Sequence, residues 1–452
     1  MKKVYIIFDI GKTNKKYFLF DGNYNILEQE SIKFKEICDE DGYPCDDLAA
    51  ICEWIKASVY KVLANDMYEV LGLNFSTYGA SLVNIDANGN VVTPFYNYLK
   101  PLDEKVSKPF FDKYGPKSDF EFLTGSPSND CLLNSGMQLY WLKTMKPEIF
   151  DQISHSLHFP QYLSYLFTSE VCAEYTSVGC HTALWDYRNV HYHKWIAEGG
   201  INHLLPIVKP TNQKDSVNID GKKVAIGIGI HDSSAALVPY LHLSNEPFIL
   251  LSTGTWSVSL NPFFEGMLSA EDVEKGCLNY LRPDGKVVRA GRIMLGEEYA
   301  TQVEKLSKIY NKGYNYHTSL MFDKELFLSA VAQSESYFKF KYIDSNKEVT
   351  GKISHFSSFD QAYTQLMFEL VKAQEESLII AKGDSNINRI YVDGGFIDND
   401  IFLKILASQL SQFEIYASSM PNGSALGALL IMEDKKDITV LNNQLRLILP
   451  NK

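Results

Sequence analysis

The 452 residues include only seven cysteines, an odd number, and no two of them form a C-x-x-C pair, so neither a disulfide framework nor a zinc ribbon is indicated. Basic residues are in deficit. Lys and Arg number 43 against 55 Asp and Glu, a formal charge of −12, which opposes the broad basic footprint needed to bind nucleic acid. No uninterrupted apolar stretch approaches the length of a membrane span. The apolar run behind the two opening lysines ends at Asp9 after Val4–Phe8, and no small-residue cleavage site follows. These absences predict a cytoplasmic protein in a reducing compartment, with neither nucleic acid nor membrane as partner. A G-x-x-x-x-G-K-S/T string is also missing, as is a G-x-G-x-x-G that follows a strand and opens a helix, so the common P-loop and dinucleotide cradles are excluded.

What remains is an ordinary globular composition, 45% hydrophobic and 22% charged, in a chain long enough for two or three domains at about 150 residues each. Val4–Phe8, Tyr17–Phe20 and Ile26-Leu27, punctuated by turns at Gly11–Asn14 and Asp21–Asn23, predict a β-meander. Asp46 and Asp47 precede apolar positions at helical spacing from Leu48 to Leu63, an amphipathic helix with an acidic first turn. Strands follow at Val70–Phe75 and Ser81–Ile85, helices near Gly136–Thr144 and Phe159–Phe167, and a β run at Val224–Ile230. Pro247–Ser252, the turn Thr253–Thr255 and Trp256–Leu260 repeat the opening pattern of strand, Gly-containing turn and strand, which predicts two related lobes. Phe359–Lys382 is a long helix, Arg389–Asp393 a strand, Ile401–Leu410 a helix, and Ser424–Glu433 a small-residue helix suited to close packing.

Four places carry residues with chemistry. Asp9, Gly11, Thr13, Asn14 and Lys16 sit around one tight turn. Glycine lets backbone approach an anion, Thr and Asn supply hydrogen bonds, Lys supplies charge, and the strand-end carboxylate can hold Mg²⁺ through water; a D-x-G turn is equally an ordinary turn. Asp232, where an apolar run ends and a small-residue helix begins, reads either as a helix cap or as a general base toward a hydroxyl. His231 lacks spaced metal-ligand partners, and His191 and His193 belong to a polar loop expected to be solvated. Thr253, Gly254 and Thr255 offer hydroxyls and turn N–H groups to phosphate. Gly394 and Gly395, with Asn399 beyond them, offer a flat floor to a ring.

In this order the motifs resemble those of the FGGY carbohydrate kinases, from Val4 to about Met432. The family's D-x-G-T-T-x-x-K hairpin is matched by Asp9, Gly11, Thr13 and Lys16. Its G-x-H-D-x-x-A-A segment is matched by Gly229, His231, Asp232, Ala235 and Ala236. The second phosphate hairpin is matched by Gly254, Thr255, Trp256 and Ser257, and the adenosine segment by Gly394, Gly395, Asn399, Gly427 and Ala428. The strings H-D-S-S-A-A and S-T-G-T-W-S look most like the rhamnulokinase and related deoxyketose kinase branch. The chain departs from that branch at Ser76 and Ser81, which replace acids, at Leu99-Lys100, which replace an R-D pair, and at Lys12, which replaces the family's first threonine.

The resemblance implies an α/β, two-domain actin/Hsp70/hexokinase-like ATPase fold with ribonuclease H-like lobes at 1–241 and 242–452 and a cleft between them. It implies ATP and Mg²⁺ as cofactors and a small sugar as substrate, namely L-rhamnulose, L-fuculose or a ketopentose such as xylulose. Asp232 is then the general base and Asp9 the Mg²⁺ residue. Thr13, Asn14, Lys16, Thr253, Gly254 and Thr255 hold phosphates, and Gly394, Gly395 and Asn399 hold adenosine. Thr77, Tyr78 and Asp232 face the sugar, and the lysines at 12, 15 and 16 cluster toward the site. A homodimer is the base-rate expectation. Two other readings stay open: a non-catalytic sugar or nucleotide sensor with the same fold, and an activator ATPase that turns over ATP without sugar.

Overall fold

The computed structural model describes all residues except 129, 245, 344–347, 419, 421, 434–440, 442–444 and 449–452. The chain forms two compact units, one from Met1–His242, Glu265–Val288 and Asn422–Val440, the other from Leu243–Phe264, Arg289–Pro421 and Leu441–Lys452.

In the first unit the predicted meander is present as Lys2–Ile10, Lys15–Asp21 and Ile26–Ile32, antiparallel neighbours in one sheet. On its other edge Lys2–Ile10 pairs in parallel with Tyr68–Thr77, which pairs in parallel with Lys222–Gly227, and Lys214–Ile219 closes the sheet antiparallel to that strand. Ile6, Phe8, Leu73, Phe75 and Ile226 are fully buried, as expected for strands covered on both faces. Helix Leu48–Leu63 lays Ile51, Ile55, Val59 and Val62 into this core. It begins where the Asp47 side chain accepts the Ala50 N–H at 3.0 Å, an N-cap. Helix Gly423–Leu430 packs so closely that a Cβ at Gly427 would lie 1.8 Å from the Ala235 carbonyl oxygen; only glycine fits. The chain between the strands adds a second apolar cluster around Phe110, Leu139, Trp141 and Trp195.

In the second unit Ile249–Thr253 pairs antiparallel with Ser257–Asn261, whose other edge pairs antiparallel with the strand ending at Ile293. Ile249–Thr253 pairs in parallel with Arg389–Gly394, which pairs in parallel with Glu414–Ser418, and Leu445–Ile448 closes the sheet antiparallel. The same sequence of parallel and antiparallel neighbours runs across both sheets, so the repeat visible around Gly11 and Gly254 extends beyond the hairpins; the closing antiparallel strand differs, preceding its neighbour in the chain in the first sheet and following it in the second. The long helix spans Phe359–Lys382, started by Ser358 accepting the Gln361 N–H at 3.3 Å. It is tied to the sheet by Ser257 Oγ donating to Gln374 at 2.6 Å and Asn261 Nδ2 donating to the Ala381 carbonyl at 3.1 Å. No described helix is long and apolar enough to cross a membrane. None of the seven cysteines forms a disulfide.

Candidate active site

The opening hairpin turns at Gly11–Asn14, where Gly11 N–H donates to the Asn14 carbonyl at 3.0 Å and leaves Thr13 and Asn14 exposed. Register puts Asp9 beside Lys16 on one neighbour strand and beside Ser76 on the other. Burial pushes the Asp9 carboxyl up to about 6, and the charge of Asp232 pushes in the same direction, against the Ser424 hydroxyl and the Lys16 ammonium. Lys16 is held at 3.3 Å by Asn422 Oδ1, at the head of the small-residue helix. Asn422 itself is left-handed at φ 52°. Asp9, Lys16, Asp232 and the start of that helix therefore form one group.

Asp232 opens helix Asp232–Leu243. A cap would accept N–H groups two or three residues on, but among the described residues Asp232 Oδ1 instead accepts the adjacent Ser233 N–H at 2.6 Å and the Ser233 hydroxyl at 3.3 Å. Its side chain keeps 31% exposure, and burial pushes its carboxyl up to about 6. A partly open carboxylate, poised near neutrality and beside a second carboxylate, has the properties of a general base. His231 lies behind it, Nε2 3.3 Å from Asp232 Oδ1 and its ring stacked on Tyr280 at 5.7 Å. Burial lowers His231 to about 3, so it is neutral. The described residues contain no cluster of His, Cys, Asp and Glu that would hold a metal. His193, expected in solvent, is buried instead, with Nδ1 accepting the Trp195 N–H at 3.3 Å and its ring on Phe120 at 5.3 Å.

The sugar-facing candidates divide. Thr77 is fully buried and donates its hydroxyl proton to the Tyr78 carbonyl at 2.9 Å. Tyr78 is buried among Phe95, Phe159 and Tyr98, and its hydroxyl donates to Asp46 Oδ2 at 2.7 Å. Tyr98 is half-buried, and its phenol is pushed up to about 12 by burial, then by the charges of Asp232 and Asp46. Of the aromatic residues between 95 and 98, Tyr98 is thus the one that senses the candidate base.

Asp46 is the residue that sequence reasoning missed. It accepts from Lys12 Nζ and Lys15 Nζ, both at 2.9 Å, in addition to Tyr78. Burial pushes its carboxyl up, but these donors outweigh burial and hold it below the usual range. Lys15 is 2% exposed and also donates to the Lys12 carbonyl at 2.8 Å. Two of the three lysines expected at the site are therefore neutralised at the back of the turn, and only Lys16 stands with Asp9. Lys100, at the departure from the R-D pair, is buried between Asp39 and Asp41 at 2.6 Å each. The sequence signal for Asp46 was its place before a helix, where Asp47 alone serves as the cap.

In the second unit Gly254 N–H donates to the Trp256 carbonyl at 2.9 Å and leaves Gly254, Thr255 and Trp256 exposed. Thr253 turns inward. Its hydroxyl donates to the Asp393 carbonyl at 2.5 Å and accepts the Phe396 N–H at 3.0 Å, so its side chain builds the turn at Gly394-Gly395. Gly394 has φ +89°, and a Cβ there would lie 1.9 Å from the Thr253 carbonyl oxygen. A Cβ at Gly395 would meet nothing nearer than 4.0 Å, so its outer face is open. Asn399 caps helix Asp400–Gln409 by accepting the Phe402 N–H at 3.0 Å and donates to the Tyr363 hydroxyl at 3.0 Å.

Residues 4–238 match the model of the N-terminal domain of the FGGY family of carbohydrate kinases, and residues 245–439 match that of the FGGY C-terminal domain. A rhamnulokinase of Mannheimia succiniciproducens is 26% identical over 271 residues, 55% of this chain and 52% of that protein. An L-fuculokinase of Haemophilus influenzae is 21% identical over 68% of this chain and 72% of its own. The chain spans about half the length of the rhamnulokinases it matches. Among solved structures, a carbohydrate kinase from Novosphingobium aromaticivorans superposes with a TM-score of 0.79 at 21% identity, covering 99% of this chain and 94% of that one. A xylulose kinase from Lactobacillus acidophilus gives 0.81 at 14%, over 99% and 94%. These likenesses bear out the two-domain α/β fold.

Proposed function

Because the chain belongs to the FGGY family of carbohydrate kinases, we propose that it transfers the γ-phosphoryl group of ATP to a hydroxyl of a ketose or deoxyketose, with Asp232 as general base. The observation that carries this reading is the Asp232 carboxylate, open on one side, raised to about 6 by burial and not spent on a helix cap. Asp232 takes the hydroxyl proton, the sugar oxygen bonds to the γ-phosphorus, and the bond from that phosphorus to the bridging oxygen breaks to leave ADP. Positioning and charge neutralisation supply most of the acceleration in such transfers.

Lys16, Gly11, Thr13 and Asn14 would bind phosphate oxygens in residues 1–241. The exposed turn at Gly254 and Thr255 would do so in 242–452, with Thr253 acting through the turn it builds. The open face of Gly395 is the floor for adenine, with Gly394 and Asn399 shaping it. Mg²⁺ fits the first group: two neighbouring carboxylates, both raised, gain from a cation, and Asp9 would hold it through water. Bound with ATP, the ion would neutralise phosphate charge. On the sugar side, Tyr98 joins Asp232 as a facing residue, while Thr77 and Tyr78 form the wall behind it. L-rhamnulose and L-fuculose are the first substrates to try, given the relatives' names, followed by xylulose.

A coupled ADP assay with and without a panel of ketoses tests the activity. Sugar-stimulated ADP release is expected, and Asp232→Asn should lower it by about 10²–10⁴-fold, the usual worth of a general base. Sugar-dependent turnover within tenfold of the unaltered protein would remove Asp232 from that role. ATP turnover that ignores sugar would favour an activator ATPase, and no turnover a sensor.

A further inference from the structure

The segment that delivers Asp232 is held by side chains more than by sheet. Among the described residues Ile230-His231 pairs only with Ser76-Thr77, at the end of strand Tyr68–Thr77. Just before it, Gly229 has φ +83°. Its N–H donates to Asn74 Oδ1 at 3.1 Å, while Gln161 Nε2 donates to the Ile228 and Gly229 carbonyls at 3.1 and 3.3 Å. The last backbone donor before the base, His231 N–H, bonds the Thr176 hydroxyl oxygen at 3.0 Å.

The direction of that bond is set by a fully buried carboxylate. Glu174 is 0% exposed and faces four donors: Thr176 N–H at 2.8 Å, Thr176 Oγ1 at 2.7 Å, Ser177 N–H at 2.6 Å and Thr211 Oγ1 at 2.6 Å. Two of these are backbone N–H groups that can only donate, one to each carboxyl oxygen, so both oxygens act as acceptors. The Thr176 hydroxyl has one proton, which goes to Glu174, so its oxygen is oriented as acceptor toward His231. Burial holds the Glu174 carboxyl above its ordinary value, and these donors offset only part of that rise.

We infer that Glu174 and Thr176 are positioning residues that fix the backbone at His231 and so aim the Asp232 carboxylate, a role that rests on Asp232 being the base. A displacement of about 1 Å at a reacting group can cost on the order of 10²-fold in rate, so the effect belongs in kcat. Thr176 lies behind His231 and need not touch sugar.

The experiment compares T176V, T176S and E174Q in the full chain, using ATP and the ketose of the panel that is turned over fastest, with thermal melting alongside. Valine keeps the shape of threonine and removes the acceptor. T176V should lower kcat at least tenfold with the sugar KM within threefold. T176S, which keeps the oxygen, should regain at least half of kcat. Gln at 174 offers an amide nitrogen to a backbone N–H whichever way it turns, so E174Q should lower kcat like T176V. If E174Q melts too low to assay, the serine and valine pair decides. A T176V kcat within twofold of the unaltered protein overturns the inference, as does T176S as impaired as T176V at equal melting temperature. If T176V behaves normally while D232N is inactive, the positioning role fails alone; if D232N stays active, the base assignment fails and the inference falls with it.

Discussion

The two hairpins occupy equivalent places in sheets that share one run of parallel and antiparallel neighbours, yet they are built from different chemistry. The turn at Gly11 is charged: Asp9 and Lys16 at its base, Lys12 and Lys15 bound to Asp46 behind it. The turn at Gly254 has no charge among Thr253, Gly254 and Thr255 and is defined by close backbone approach. A Cβ at Gly394 would strike the Thr253 carbonyl at 1.9 Å, and one at Gly296 would strike the Gly254 carbonyl at 2.0 Å. One turn offers electrostatics, and the other is framed by close approaches that only glycine allows at 394 and 296. Mutations should therefore fail differently in the two: by steric collapse in the second, by graded loss of charge in the first.

The largest effect is expected at Gly394. Alanine there must adopt φ +89° and push against a backbone oxygen that Gly395 N–H also uses at 2.8 Å. Left-handed strain alone costs about 1–2 kcal/mol, and the clash adds to it. G394A should lower the melting temperature by several degrees and reduce activity at least hundredfold. Gly395 is the control: its Cβ direction is open, so G395V should melt like the unaltered protein while ATP affinity, measured by calorimetry, falls more than sugar affinity. Equal melting of G394A and G395V would break the steric account of the second hairpin.

Next in size is the pH response of the first group. Asp9 and Asp232 are raised from 3.8 to about 6, chiefly by burial. The base must be ionised to accept a proton, so kcat/KM for sugar should fall about tenfold per pH unit below about 6. Stability runs the other way. The folded unit holds these protons more tightly than the unfolded chain, so the two groups favour folding fully below the ordinary 3.8, and that contribution is lost as pH rises through about 6. An acid limb centred near 4 would mean that Asp232 is solvated during turnover.

The sequence made regular structure legible wherever a single element carries its own signal. Helix Phe359–Lys382 has its apolar stripe, its Ser358 cap and Gly383 beyond it, and its ends match the expectation. The strands around both hairpins were found to within a residue or two. Helices Glu104–Tyr114 and Leu295–Ile309 were not read, although Val106, Phe110 and Tyr114 in the first and Leu295, Val303 and Leu306 in the second are buried at helical spacing; the many polar residues between them drew attention away from the stripe. In the candidate site, the glycine and aspartate positions could be named from sequence because their spacing is local. Asp46, Asn422 and Glu174 were not, since each acquires its meaning from partners more than thirty residues away or from burial that composition does not reveal. Thr253 shows the reverse error: its motif pointed outward to phosphate, but its hydroxyl turns inward to Asp393 and Phe396.

The smallest effects separate lysines that the sequence could not tell apart. Lys16 has Asp9 as register partner and an amide oxygen at 3.3 Å, and no carboxylate salt bridge is found for it among the described residues. K16M should raise the ATP KM by about tenfold, the order expected for one charge-assisted phosphate contact of 1.5–3 kcal/mol when partly replaced by water. Lys12 instead reaches Asp46 at 2.9 Å and Glu36 at 3.2 Å, the latter 48% exposed. Removing it leaves Asp46 still bound to Lys15 and Tyr78, so no buried charge is orphaned. K12T should change stability by no more than about 1 kcal/mol, as partly exposed ion pairs do, and should leave the ATP KM within threefold. If K12T weakens ATP as much as K16M, Lys12 leaves Asp46 for the nucleotide, and the charged hairpin has a moving part that the glycine-built one lacks.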